Sequence, residues 1–93
     1  MDTVTDEKLA KYFSVSQKAF DMAKGAVNPE RQEDAEVVLD MVERYISDAH
    51  HFQDKGDKVT TFAALNYAHG WLDSAARLGI FTVKDSTLFT VDD

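Results

Sequence analysis

Apolar residues recur along most of the chain at the three- and four-residue spacing of amphipathic helices. In the first segment, residues 6–27, the apolar positions are Leu9, Tyr12, Phe13, Ala19, Phe20, Ala23 and Val27. In the second, residues 29–54, they are Ala35, Val38, Val42, Tyr45, Ala49 and Phe52, flanked by Leu39, Met41 and Ile46. In the third, residues 58–78, apolar side chains cover more than half of the helical circumference. This width predicts that the third helix contacts protein on two sides and is the central one.

The residues between these segments favour helix ends. Asn28 suits a helix cap and Pro29 the first helical position. Gly56 suits the left-handed conformation that ends a helix, Asp57 can cap the next one, and Gly79 ends the third. So short a joint at Gly56 forces an antiparallel hairpin. The sequence therefore predicts an all-α fold, an antiparallel three-helix bundle that forms a single helical domain over residues 1–93.

The last segment, residues 80–93, has strand-like apolar residues but no sheet to join, and we expect an extended C-terminal tail. Its large apolar side chains are Phe81, Val83, Leu88, Phe89 and Val91. Left exposed together they would form an apolar patch. The tail is therefore expected to pack on the bundle, with a homodimer contact as the alternative.

Charge and composition narrow the classes of function. The formal net charge is -7, and the chain contains no cysteine, so a disulfide framework and a thiolate metal site are excluded. So acidic a chain lacks the basic surface of a nucleic-acid binder and would be repelled by an anionic membrane. No apolar run is long enough to span a bilayer, and the polar start is unlike a signal peptide. We expect a cytoplasmic protein that binds neither nucleic acid nor membrane.

A group of polar residues interrupts the third helix. Asn66, His69, Asp73 and Arg77 fall within about 80° on a helical wheel, and we call this group the polar seam. Across the Gly56 turn, residues whose numbers sum to about 112–114 should lie level, at a rise of ~1.5 Å per residue. This rule predicts Asp48 near Asn66 and Tyr45 near His69. Gly70, beside the polar seam, is expected to let the second helix approach closely.

Two interpretations of the polar seam remain open. In the first, Asp48, Asn66, His69, Asp73, Tyr45 and Arg77 form a ligand-binding site. His69 and Asp73, four residues apart, would then be candidates for metal ligands or for an oriented acid–base pair, with hydrolytic chemistry as the boldest form of this site. In the second, Asp73 and Arg77 form an ion pair on the helix surface, and the other polar atoms are satisfied inside the bundle. No catalytic residue, resident metal or cofactor is predicted.

Two further patterns have simple structural interpretations. Arg44 and His50 have the R-x5-H spacing of HEPN ribonuclease domains, but that spacing is permissive and the basic surface is missing. Trp71 and Tyr67, at helical spacing, are expected in the core. The sequence therefore favours a non-enzymatic binding or protein-interaction module over an enzyme. Its partner would be an unknown protein or a second copy, reached through the tail and the central helix.

The helical hairpin also resembles a known family. Over residues 41–81 the chain carries Tyr45, Asp48-Ala49 and Phe52, then Gly56-Asp57, the run NYAHGWLD from Asn66 to Asp73, and Arg77-Leu78-Gly79. This pattern resembles the family catalogued as domain of unknown function 357. The resemblance implies an archaeal source and a small helical bundle. It implies no activity, because the family is named for lacking one.

Overall fold

The computed structural model describes residues 3–84 and Phe89, and their fold is an all-α three-helix bundle. Helix α1 spans Asp6–Lys24, α2 spans Gln32–Asp54 and α3 spans Lys58–Arg77. A 3₁₀ turn, Pro29–Arg31, precedes α2. Two helices begin at side-chain caps: Thr5 accepts a hydrogen bond from the Lys8 amide, and Asp57 accepts one from the Thr60 amide. The predicted fold class is confirmed.

Two helix boundaries in the structure differ from those predicted from the sequence. The first helix stops at Lys24, three residues before the predicted end, because Val27 is extended and forms an antiparallel bridge with Phe81. The α-helical part of the second begins at Gln32 rather than at position 29. Asn28 does act as a cap, since its side-chain oxygen accepts a hydrogen bond from the Glu30 amide, but it caps the 3₁₀ turn.

Helix α3 lies in the centre of the bundle, as its broad apolar face predicts. It packs along α2 through the hairpin and along α1, whereas α1 and α2 contact each other less. The core contains one or more fully buried side chains from each helix, among them Leu9, Val42 and Leu72. At the end near the hairpin turn, the Lys58 ammonium lies 3.2 Å from the Asp6 carboxylate. Helices α1 and α3 therefore begin at the same end of the bundle.

The start of the tail packs on the bundle. Ile80, Phe81, Val83 and Phe89 are buried. The backbone amide of Asn28 donates a hydrogen bond to the Ile80 carbonyl at 2.9 Å, and the backbone amide of Thr82 donates one to the Ala26 carbonyl at 2.7 Å. These four side chains pack within the chain, as predicted, and residues 80–82 pair with the linker after α1. Leu88 and Val91, predicted to join them, lie outside the described residues.

The expectation that Tyr67 belongs to the core is wrong. Its side chain is 55% exposed, and Trp71 is only half-buried, packed against the edge of the core. The reason is geometric. Helices α1 and α2 each pack on one side of α3, and Tyr67 lies at the edge of the surface that α2 covers. An apolar wheel position predicts burial only where a neighbouring element is present.

Candidate functional site

The hairpin places Tyr45 against Tyr67 rather than beside His69. The Tyr45 and Tyr67 ring centroids are 4.6 Å apart, with the ring planes tilted by 58°. The expectation that residues lie level across the Gly56 turn when their numbers sum to about 112–114, which we call the level rule, holds here, since 45 and 67 sum to 112. It did not account for direction: His69 is two residues beyond Tyr67, about 200° further around the helix. The imidazole therefore points to a different side of α3 from the Tyr45 ring.

Tyr45 lies in a cleft between α2 and α3. The cleft has a volume of about 270 Å³ and is lined by Tyr45, Asp48, Phe52, Thr60, Ala63, Ala64 and Tyr67. Burial raises the pKa of Tyr45 above its ordinary value, and the Tyr67 hydroxyl and the Asp48 carboxylate raise it further. The phenol therefore stays protonated at neutral pH. This group can donate and accept hydrogen bonds, but it is not a base that would remove a proton from a substrate.

Gly70 is not a point of close approach between α2 and α3, and that prediction is wrong. The residue is exposed, and a Cβ atom built on it would meet no atom of residues 3–84 or Phe89 within 4 Å. It lies instead in an open groove of about 550 Å³ on α3, lined by Ala63, Asn66, Tyr67, Gly70, Trp71 and Ser74. The helical wheel explains the error, since Gly70 projects about 120° away from Ala64, which lines the cleft between α2 and α3.

His69 faces the tail. Its ring and that of Phe89 have centroids 6.4 Å apart and planes inclined by 26°. The side chain is half-buried, and its Nδ1 atom is buried without a hydrogen-bond partner among residues 3–84 and Phe89. A buried ring nitrogen without a partner is costly in either tautomer. No residue of the cleft or the groove supplies that partner.

The six predicted site residues lie in different surroundings. Asp48 and Tyr45 share the cleft, Asn66 lies in the groove, and His69 lies against Phe89. Arg77 lines a third cavity of about 360 Å³, where Gly79 and residues 81–84 of the tail complete the wall. Asp73 is half-buried, and its predicted ion pair with Arg77 stays a prediction.

Metal and nuclease interpretations gain no support from the geometry. Within residues 3–84 and Phe89, no cluster of three or more His, Cys, Asp and Glu side chains could hold a metal ion. The two residues of the R-x5-H spacing have different neighbours. Arg44 forms an ion pair with Asp40 at 3.0 Å, whereas the His50 ring stacks on Phe13 at a centroid distance of 4.4 Å.

The feature that sequence reasoning missed is a largely exposed stripe of apolar and small residues along α3. We call it the α3 stripe; it comprises Val59, Ala63, Tyr67, Gly70, Trp71, Ser74 and the helix-capping Leu78. On a helical wheel these positions span about 120°, with Arg77 at one edge. Val59, Tyr67 and Leu78 are 71%, 55% and 67% exposed. The signal was present in the sequence, because the apolar arc of α3 is wider than two neighbouring helices can cover.

Comparison with known families assigns the chain. The family model described as "Protein of unknown function (DUF357)" matches residues 11–81, about three-quarters of the sequence. The chain belongs to the DUF357 family. The matched range of this DUF357 protein runs from α1 to Phe81, so it includes the whole α3 stripe and the bridge to Val27.

Other comparisons add no relative. No curated protein and no solved structure matches this DUF357 protein. In the part of the chain that the structure describes, no helix is long and apolar enough to cross a membrane.

Proposed function

We propose that this DUF357 protein is a non-enzymatic protein-interaction module that docks its partner on the α3 stripe. The observation that supports the proposal is an apolar face on the central helix that the described residues leave exposed. Three of the five large apolar side chains that are exposed in the described residues lie on it. Single exposed apolar residues are ordinary, but a continuous row along one helix is typical of an interaction surface.

Gly70 supports the same proposal. A glycine inside a helix costs about 1 kcal/mol relative to alanine. Such a cost is usually offset where another backbone approaches closely, yet no atom of residues 3–84 or Phe89 comes near the missing side chain. An approach by a partner helix would use the space that Gly70 leaves open.

The exposed surface suits a reversible contact. Complete burial of a large apolar side chain contributes about 1.5–3 kcal/mol. With Val59, Tyr67 and Leu78 more than half exposed, a partner would gain roughly 1–2 kcal/mol from covering each. The sum, about 3–6 kcal/mol, barely reaches the lower end of the ~4–15 kcal/mol cost of association. The partner must therefore bring its own apolar surface, and we expect a moderate affinity.

Site-specific photo-crosslinking tests the proposal. A photoreactive phenylalanine analogue at position 67 is compared, in the producing cell, with the same analogue at position 37 on α2. Val37 is a matched control because it is 60% exposed and Tyr67 is 55% exposed. We expect a discrete protein adduct from position 67 that is much stronger than any from position 37. Equal or absent adducts at the two positions would refute an interaction face on α3.

The alternative function is a small-ligand or metal site formed by the polar seam with Asp48 and Tyr45. Only one observation favours it, the buried Nδ1 atom of His69 that lacks a partner. A ligand donor or a metal could satisfy that atom. A calorimetric titration of the protein with Zn²⁺ separates the alternatives, with His69→Phe as the control. Binding that the variant abolishes would support the site, whereas the same heat from both proteins would eliminate it.

A further inference from the structure

We infer that the partner on the α3 stripe is a second copy of this chain, with the two α3 helices antiparallel about a two-fold axis at Gly70. This inference rests on the proposed function, because it names the occupant of the same surface. It combines three features of the described residues: the distribution of charge, the shape of the stripe around Gly70, and the cleft that continues from it.

The distribution of charge determines where two copies can meet. Each copy has a formal net charge of -7, so most surfaces of two copies repel one another. Helix α2 is strongly acidic, whereas α3 has Asp73 as its only charged residue between Lys58 and Arg77. The α3 stripe is thus the face on which two acidic molecules can approach with the least repulsion. A basic partner would instead be attracted to α2.

Charge also selects the orientation of the two helices. In a parallel pair, Arg77 would lie level with Arg77 of the other copy, and Asp73 with Asp73. In an antiparallel pair centred on Gly70, a rise of ~1.5 Å per residue separates the two Arg77 residues by about 21 Å along the axis. The two Asp73 residues are then about 9 Å apart along it. The antiparallel pair therefore avoids like-charge contacts that the parallel pair would contain.

The shape of the stripe matches this arrangement. Gly70 leaves the centre open, and the next small side chains along the stripe are Ala63 and Ser74. Small residues at a crossing point let two helix backbones approach closely. Antiparallel pairing places Asn66 of one copy level with Ser74 of the other, four residues on either side of Gly70. Each pair can form a hydrogen bond, and the two-fold axis repeats it.

The neighbouring cleft enlarges the contact. The groove at Gly70 and the cleft at Tyr45 share Ala63 and Tyr67 in their walls, so the two form one continuous surface. A stable interface buries about 800 Å² on each partner, more than one stripe about 28 Å long supplies. The Tyr45 and Phe52 side of the cleft supplies additional area. We therefore expect a dimer that dissociates on dilution.

Sedimentation velocity of the full chain over a concentration series, up to about 1 mM, tests whether a second copy occupies the α3 stripe. The expected result is a monomer–dimer equilibrium that Gly70→Glu shifts towards monomer. Two opposed carboxylates at the two-fold axis should raise the dissociation constant roughly tenfold or more. Circular dichroism establishes that the variant is folded, which we expect because a Cβ atom at position 70 meets no atom of the described residues within 4 Å. Val37→Glu is the control, and its dissociation constant should equal that of the wild type.

Single cysteines test the orientation, since the chain contains none of its own. Mixing Asn66→Cys with Ser74→Cys under mild oxidation should give a mixed disulfide dimer. Either variant alone should crosslink at least several-fold less, and a pair of Val37→Cys chains should not crosslink. Efficient self-crosslinking of Ser74→Cys alone would overturn the antiparallel arrangement.

The results distinguish the two levels of the proposal. A wild-type protein that stays monomeric throughout the concentration series overturns the second copy as occupant. If position 67 still gives an adduct with a different protein, the interaction module stands and only the occupant is wrong. If position 67 gives no adduct as well, both are wrong.

Discussion

Replacing Gly70 with alanine should stabilise the monomer and weaken self-association at the same time. Gly70 lies within α3 and has no positive φ, so alanine can adopt its conformation without strain. Among the residues that the structure describes, the new methyl group would meet no atom within 4 Å. The gain is then the difference in helix propensity, about 1 kcal/mol. For a chain of this size, that free energy raises the unfolding midpoint by about 4–8 °C.

The two effects are separated by protein concentration. Thermal unfolding followed by circular dichroism at low micromolar concentration reports on the monomer, where Gly70→Ala should unfold at a higher temperature than the wild type. At the highest concentrations the wild type gains stability from association, so the difference should shrink. Gly56→Ala and Gly79→Ala are matched controls, because those glycines have φ values of +79° and +78°. Both controls should lose roughly 1–2 kcal/mol.

A lower midpoint for Gly70→Ala at low concentration would refute this reasoning. It would mean that α3 contacts another element at position 70, as the glycine in the sequence first suggested. A difference that does not depend on concentration would instead contradict the role of Gly70 in a dimer. The same series of thermal scans therefore tests both the packing of α3 and its proposed partner.

Three further predictions concern stability. Asn28→Ala should lower the free energy of unfolding by about 1–2 kcal/mol in chemical denaturation. The Asn28 side chain caps the 3₁₀ turn, and its amide also donates a hydrogen bond to the Gly79 carbonyl at 2.9 Å. Asn28→Ser keeps only the cap and should recover part of the loss. Phe81→Ala should cost about 3–5 kcal/mol in the same assay, since the ring is 1% exposed. Hydrogen bonds from the Thr60 hydroxyl and amide lower the pKa of Asp57 in the folded state. The Asp57 carboxylate therefore adds to the free energy of unfolding above the ordinary carboxyl pKa, and this stabilisation is lost as pH falls through the lowered folded-state pKa. Thermal scans from pH 6 to about 2 should show a smaller fall in midpoint for Asp57→Ser, which still caps α3 but does not titrate.

The helices could be read from the sequence because their signals are local. Apolar spacing within each segment and the cap at Asp57 depend on residues a few positions apart, and each appears in the structure at or near the predicted place. The end of α1 could not be read in this way. Val27 continues the apolar pattern of α1, but it bonds across the chain to the tail at Phe81, more than fifty residues away.

The candidate site shows the same division. A helical wheel correctly placed Asn66, His69 and Asp73 on one arc of α3, and the level rule correctly gave the height of Tyr45 along the hairpin. Neither could supply the direction in which α2 and the tail lie. The tail places Phe89 against His69, whereas none of the helices that the structure describes covers Gly70. One arc of polar residues was therefore divided among different neighbours.

The sequence by itself determined the fold class, the helix order and the central position of α3, because periodicity and capping are properties of adjacent residues. The tertiary structure alone decided which apolar residues of α3 stay exposed. Burial depends on where neighbouring helices end and how far they reach, and those positions follow from the packing of the whole chain. Tyr67 and Leu72 are both apolar residues of the same helix, yet one is 55% exposed and the other fully buried. Only the tertiary structure distinguishes the interaction surface that we propose from the core.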